Sequence, residues 1–286
     1  MSSYSAVPTR ALVLGLVDGH GVLSLERVYG LASACGLSDQ QVRLCVRRLA
    51  AEGKFEHVSG RGRRALFRAV GAAGTEILPE RSFLEFALAQ DAGAAAWDGV
   101  WRMVGFSIPE ARRAVRDEFR GRLVLLGGGA VHAGLYVSPN PWTRLVLAEA
   151  ERLGVREDLT LARAERLSIG HVSDPRQLAS GIWPLREVAD GYREFLRTLR
   201  ALVGRADRSP RGSPAVVQAA LEAVVAFSRA IEPDPLLPPE LLPREWIGGR
   251  ARRSMLAAAA RFLDAAGDEA APTSLGWLLD VGRVAA

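Results

Sequence analysis

The stretch SDQQVRLCVRRLAAEGKFEHVSGRGRRALF, residues 38–67, decides how this chain is read. Ser38 is a favourable helix N-cap and Gln41, three positions on, completes a capping box, so a helix is expected from Asp39. Val42, Cys45, Val46 and Leu49 recur at helical spacing and form its packing face. Gln40, Arg43, Leu44 and Arg47 project from the opposite side, with Arg48 at the edge. Gly53 ends the helix. A strand over 55–58, a turn made of Gly60, Arg61, Gly62, Arg63 and Arg64, and a return strand over 65–69 follow. Upstream, 10–18 and 25–35 read as two short helices, with Gly36 making the tight turn into the arginine helix. This is the element order of a winged helix-turn-helix, in which a helix reaches base edges in the major groove and a flexible basic loop grips phosphates beside it.

Charge agrees with that reading. Residues 1–75 hold ten basic against five acidic side chains, and the remainder holds 27 against 27, so the whole net charge of +5 lies in the N-terminal quarter. Such asymmetry is the electrostatic footprint of a polyanion-binding module. Lys54 is the only lysine; the preference for arginine reflects genome composition and is no sign of guanine reading.

At 286 residues, two or three domains are expected. No segment approaches the roughly 18–20 uninterrupted apolar residues that span a bilayer, and the N-terminus lacks the pattern of a secretory signal. A cytoplasmic protein with no membrane association is expected. The two cysteines, Cys35 and Cys45, fall on packing faces of expected helices and read as reduced core residues, not a disulfide or metal pair.

The expected division is a DNA-binding domain over 1–75, a connecting helix and hinge over 76–96, a ferredoxin-like domain over 97–173 and a helical domain over 174–286. In the third segment, a strand over 100–108, a helix over 110–126 with Ala111, Val115, Phe119 and Leu123 inward, one or two strands over 131–137, a helix over 142–153 and a strand over 159–169 suggest a sheet with helices on one face. The last segment reads as helices over 184–203, 214–231, 248–266 and 275–284. Between them, Pro233, Pro235, Pro238, Pro239 and Pro243 forbid regular helix, and the paired leucines there suggest a stiff strap over an apolar surface. The fold class is therefore α+β and multidomain.

Taken together, these pieces resemble the PaaX family of bacterial transcriptional repressors, nearly end to end. The resemblance is carried by Val42-Arg43 and Arg48-Leu49, by the turn at 60–64, and by Trp97-Asp98-Gly99-Val100-Trp101-Arg102 leading to Ile108-Pro109. It continues in Gly134-Leu135-Tyr136-Val137-Ser138-Pro139, and most specifically in the proline strap at 234–243 followed by Trp246. Phe67 and Phe55 depart from it, standing where tyrosine and tryptophan are common. The resemblance implies a homodimer on palindromic operator DNA, controlling phenylacetate-type catabolism and released by phenylacetyl-coenzyme A or a related acyl thioester.

Within that frame, Arg43 and Arg47 are the candidates for base contact, since bidentate arginine to guanine is the commonest specific pairing. Gln40 and Leu44 share their face. Arg48, Arg61, Arg63 and Arg64 are expected to hold phosphates or enter the minor groove. Candidates for the effector are Trp101, Trp183, Tyr192 and Trp246 for an aryl end, and Arg102 for a phosphate. Each aromatic has an ordinary alternative as core.

Two other classes stay open. Small ferredoxin-like domains also serve metal-dependent nucleases, which need a carboxylate near the end of the first strand; here Ser107 stands there and Asp98 lies at the other end. An adaptor that keeps the fold without binding DNA is the third reading. No cofactor is expected: Gly127-Gly128-Gly129 lacks the spacing and lysine of a phosphate loop, and His20, His57, His132 and His171 show no ligand spacing.

Overall fold

The computed structural model describes residues 7–33, 35–267 and 271–284. They form two compact units, one drawn from Met1–Leu88, Gly191–Glu232 and Gly248–Ala286, the other from Ala89–Asp190 and Pro233–Ile247. These boundaries cut across the serial division expected from sequence, because the helical C-terminal stretch is shared between the units.

The first unit opens with α1 (Thr9–Gly15), whose residues from Ala11 to Gly15 are all buried. Then come β1 (Val22–Ser24), α2 (Leu25–Ala32), α3 (Asp39–Ala51), β2 (Phe55–Ser59), β3 (Leu66–Ala69) and α4 (Arg81–Asp91), which passes into the second unit at Ala89. The three strands form an antiparallel sheet in the order β1-β3-β2. Strand β1 was not expected, and α1 is shorter than the expected 10–18. One residue explains both: the Asp18 carboxylate accepts from the backbone N–H of His20 and of Val22, each at 2.9 Å, folding the chain into a turn where more helix was expected.

In the second unit, β4 (Trp101–Phe106), α5 (Arg113–Leu125), β5 (Gly129–His132), β6 (Leu135–Ser138), α6 (Thr143–Leu153) and β7 (Leu159–Ala164) follow one another. The sheet is antiparallel throughout, in the order β5-β6-β4-β7. This is the βαββαβ connectivity of a ferredoxin-like sheet. Strand alternation sends Val104 and Phe106 to a cluster with Phe119 and Leu123 of α5 and Val146 and Ala150 of α6. Trp101 and Met103 face the other way, into a cluster with Leu178, Trp183, Leu237, Leu241 and Leu242.

Both faces are therefore covered, where helices on one face were expected. The second cover comes from α7 (Pro175–Ile182), which was not expected, and from the proline strap. The signals for α7 were present in sequence: Asp174 caps it by accepting from the Gln177 N–H, and Pro175 occupies its first turn. The long helix expected from Glu110 starts at Arg113, after a 3-10 turn over Glu110–Arg112, which leaves Ala111 exposed. Strand β7 stops at Ala164, short of the expected 169. In the strap, Leu236 takes φ = +50°, unusual for a residue with a Cβ. Its carbonyl accepts from Gln90 Nε2 (2.8 Å) and Asn140 Nδ2 (2.9 Å), and its N–H donates to Asp234 (2.9 Å).

Four helices complete the chain: α8 (Leu185–Asp207), α9 (Pro214–Ile231), α10 (Gly248–Ala266) and α11 (Thr273–Val284). The bounds of α9 and α10 are those expected from sequence. Among the described helices, α9 alone is long and apolar enough by composition to cross a bilayer. Ten of its residues, from Val216 to Ile231, are buried in the first unit, which is the behaviour of a core helix. It meets α1 so closely that a Cβ on Gly15 would lie 2.4 Å from Leu221 Cδ2. At the start of α11, the Thr273 N–H donates to the Val17 carbonyl at 3.1 Å, and its hydroxyl is shared between the carbonyls of Val17 and Asp18. N-terminal and C-terminal segments thus share one core.

Thr273→Val should cost about 1 kcal/mol and speed amide exchange at Leu16 and Val17 at the end of α1. Hydrogen-exchange mass spectrometry checks this, and unchanged protection in α1 would contradict the shared core.

Candidate nucleic-acid interface

Helix α3 starts as its sequence dictates: the Ser38 N–H donates to Gln41 Oε1 (2.8 Å) and the Gln41 N–H to Ser38 Oγ (3.3 Å). Val42, Val46 and Leu49 are buried. Gln40, Arg43, Leu44, Arg47 and Arg48 are all exposed, so the structure brings the five helix candidates together on one open face. Leu44, 45% exposed, is an apolar side chain left uncovered in the middle of it. Cys45 sits half-buried at the edge of that face, not in the core as expected, while Cys35 is buried; both thiols are free, and burial is the main cause that pushes each up.

Not every cation nearby is available. Arg10 holds the Glu52 carboxylate through both oxygens, and Glu76 is shared between Arg10 and Lys54. Among the described residues, Arg43, Arg47, Arg48, Arg61 and Arg64 have no such carboxylate. Counted over the whole unit, 23 basic face 16 acidic residues, whereas the second unit has 14 against 16. The positive balance therefore belongs to the unit that carries α3.

The basic hairpin tip is a folded turn, at the place where a glycine-arginine turn was expected. Gly62–Arg64 form a 3-10 turn, and the Arg64 N–H donates to the Arg61 carbonyl at 3.2 Å. Gly60 has φ = +74°, and a Cβ there would lie 2.1 Å from the Arg64 carbonyl oxygen. His57 Nε2 lies 2.9 Å from the Gly60 carbonyl, closing the base. Arg61, Arg63 and Arg64 are exposed. Arg63 nevertheless has partners: its guanidinium is 3.5 Å from the Asp39 carboxylate and its Cζ lies 4.9 Å from the centre of the Tyr29 ring. Neither Asp39 nor Tyr29 was singled out from sequence. An acid in the first turn reads simply as a helix-stabilising charge, and Tyr29 as core.

The effector candidates are divided between the two units. Tyr192 is fully buried in the first unit, with its hydroxyl 3.2 Å from Arg252. The others lie in the second unit. Trp101 stacks on Trp183 at 6.5 Å and meets Trp97 edge-on at 5.1 Å, and Trp246 packs against the same cluster. Arg102, expected to hold a phosphate, has its guanidinium occupied by the Asp98 carboxylate and the carbonyls of Val100 and Pro139. Asp98 is correspondingly held below the usual carboxylate range, chiefly by its hydrogen bond from Arg102.

Two family patterns match the chain: that of the PaaX protein central Cas2-like domain over residues 94–179, and that of the PaaX-like protein C-terminal domain over 183–271. The chain is also 27% identical over 239 residues to transcriptional repressor PaaX of Escherichia coli (strain K12), covering 82% of this chain and 72% of that protein. It is a member of the PaaX-like family. Its fold further resembles the solved structure of an uncharacterized protein from Mycobacterium tuberculosis, with a TM-score of 0.53, 16% identity, and coverage of 96% of this chain and 95% of that one. The Cas2-like match of this PaaX-like chain falls on the βαββαβ sheet, while both patterns lie outside the arginine helix and hairpin, whose geometry must speak for itself.

Gly60→Val should cost about 1–3 kcal/mol and raise amide exchange across the hairpin, because a side chain there collides with backbone and cannot relax at its tip. A variant with wild-type thermal midpoint and hairpin protection would contradict the folded turn.

Proposed function

We propose that this PaaX-like chain is a transcriptional regulator, a repressor by its likeness to one, whose N-terminal helices and hairpin act as a winged helix-turn-helix. The observation that carries the reading is the open face of α3, where Gln40, Arg43, Leu44, Arg47 and Arg48 stand beside a pre-folded arginine hairpin. Arg43 and Arg47 read base edges, Leu44 offers an apolar contact of the kind that suits a thymine methyl group, and Arg48, Arg61 and Arg64 hold phosphates. In a homodimer, two such helices enter successive major grooves about 34 Å apart on a palindromic site. Its place is then the cytoplasm, where the DNA is. A metal-nuclease reading is disfavoured by chemistry: Ser107 follows β4, and Asp98 is already the partner of Arg102.

The resemblance further supports release by an aryl-acetyl-coenzyme A thioester. Trp101, Trp183 and Trp246 with Arg102 are the candidates in the second unit, and Tyr192 is the candidate in the first. Because these aromatics are packed as core, a thioester that uses them must displace neighbours, and its binding must then favour a different state of the protein.

Binding titrations on genomic fragments selected by the protein, and on scrambled duplexes, at several salt concentrations test the DNA reading. Arg47→Ala should lose about 1–3 kcal/mol of preference for the selected fragment, whereas Arg61→Ala should weaken both duplexes alike and flatten the salt slope by about 0.9. Wild-type protein with no salt-sensitive duplex affinity would leave the adaptor reading. For the effector, a panel of acyl thioesters should contain one that releases the fragment and raises the thermal midpoint; no response across the panel overturns that part.

A further inference from the structure

We infer that Arg63, alone among the hairpin arginines, is a positioning residue that locks the wing against the reading helix instead of holding DNA. This rests on the winged-helix reading above and deepens it. Arg63 bridges two elements: it faces the carboxylate of Asp39, the first residue of α3, and lies over the ring of Tyr29 in α2, which is itself buried. Arg64 and Arg61, one and two residues away, make no comparable pair among the described residues. The hairpin tip is seated on the same side by backbone, since the Leu25 N–H at the start of α2 donates to the Ala65 carbonyl at 3.1 Å.

Asp39 makes the assignment chemical as well as geometric. A carboxylate at a helix N-terminus favours the helix, but on a surface that receives phosphates a bare one repels them. Arg63 neutralises it in place. If Arg63 swung onto a phosphate, Asp39 would be left uncompensated beside the DNA. If it stays, the wing is held at a fixed distance from α3 before DNA arrives, and the ordering cost of binding falls.

The two roles give opposite signs. In the locking role, Asp39→Asn removes the anchor and weakens binding to the selected genomic fragment by roughly 3- to 10-fold, and Tyr29→Leu does the same. In a phosphate-holding role, Asp39→Asn removes a negative charge and frees Arg63, so binding tightens. Arg63→Ala should weaken binding while leaving the salt slope at its wild-type value, in contrast to Arg61→Ala. Hydrogen exchange over residues 60–65 without DNA supplies a readout independent of binding: both Asp39→Asn and Tyr29→Leu should accelerate it. Unchanged or tighter binding by Asp39→Asn, a slope for Arg63→Ala that falls as far as that of Arg61→Ala, or unchanged hairpin exchange in both anchor variants would each overturn the lock. Absence of duplex binding by the wild type would instead count against the DNA reading, and the exchange measurement would still decide whether the hairpin is clamped.

Discussion

The burial of α1 is the constraint on which the first unit depends. Seven residues of helix are too few to be stable alone, yet Ala11 to Gly15 are all inside, with α3 and α9 both packed on this short segment. A Cβ at position 15 would press on the tip of Leu221, and the Thr273 hydroxyl adds a second donor to the carbonyls of Val17 and Asp18, which already accept from the backbone N–H of Thr273 and of Gly21. Helix α3 is therefore tied to α9 through α1 and the apolar residues buried around it. Bending α3 away from them would expose Leu12, Leu14 and Leu221, at about 1.5–3 kcal/mol for each large apolar side chain uncovered. On the proposed DNA-binding reading, a signal is accordingly better delivered by moving α3 together with its core than by distorting the helix within it.

Charge follows the same partition. On the second unit, α5 and α6 carry many arginines, but acids accompany them: Arg116 pairs with Glu110 and Asp117, and Arg152 with Glu118 and Glu149. Such exposed pairs contribute little to stability; their effect is to cancel a field that would otherwise attract polyanions indiscriminately. On α3 and the hairpin tip, residues 60–64, that cancellation stops, except at Asp39. A single retained acid amid open arginines is what makes Arg63 different from its neighbours.

Local rules were legible in the sequence wherever the signal was itself local. The capping box at Ser38 and Gln41, the stop at Gly53, the proline start of α9, and the strand–helix alternation behind the βαββαβ sheet all depend on residues within a few positions of each other. So did the strap, since prolines forbid helix wherever they stand. What could not be read was set by distant partners. Nothing near Gly15 announces Leu221, and nothing near Thr273 announces Val17, so the grouping of C-terminal helices with the N-terminal ones stayed hidden behind a serial division. The candidate site divides the same way: the exposed face of α3 followed from helical spacing, but the Asp39–Arg63–Tyr29 contact depends on where the hairpin folds back. The aromatic effector candidates were chosen by residue type alone, and type does not distinguish a pocket wall from a packed interior.

The central sheet shows how a fold can be kept while its chemistry is put to other use. A carboxylate beside a ferredoxin-like sheet could serve a hard metal, and Asp98 is close to β4. Here it is bound to Arg102, whose remaining hydrogen bonds go to the carbonyls of Val100 and Pro139, so the acid anchors a loop to the sheet. The face that Trp101 and Met103 present is covered by α7 and by the strap, and the strap is held in an unfavourable backbone conformation at Leu236 by Gln90 and Asn140. Strain of this kind persists only where surrounding contacts over-determine it. The strap is thus a fixed part of the wall, held over the sheet by Gln90 and Asn140, while Arg102 of β4 is spent on Asp98 and the carbonyls of Val100 and Pro139.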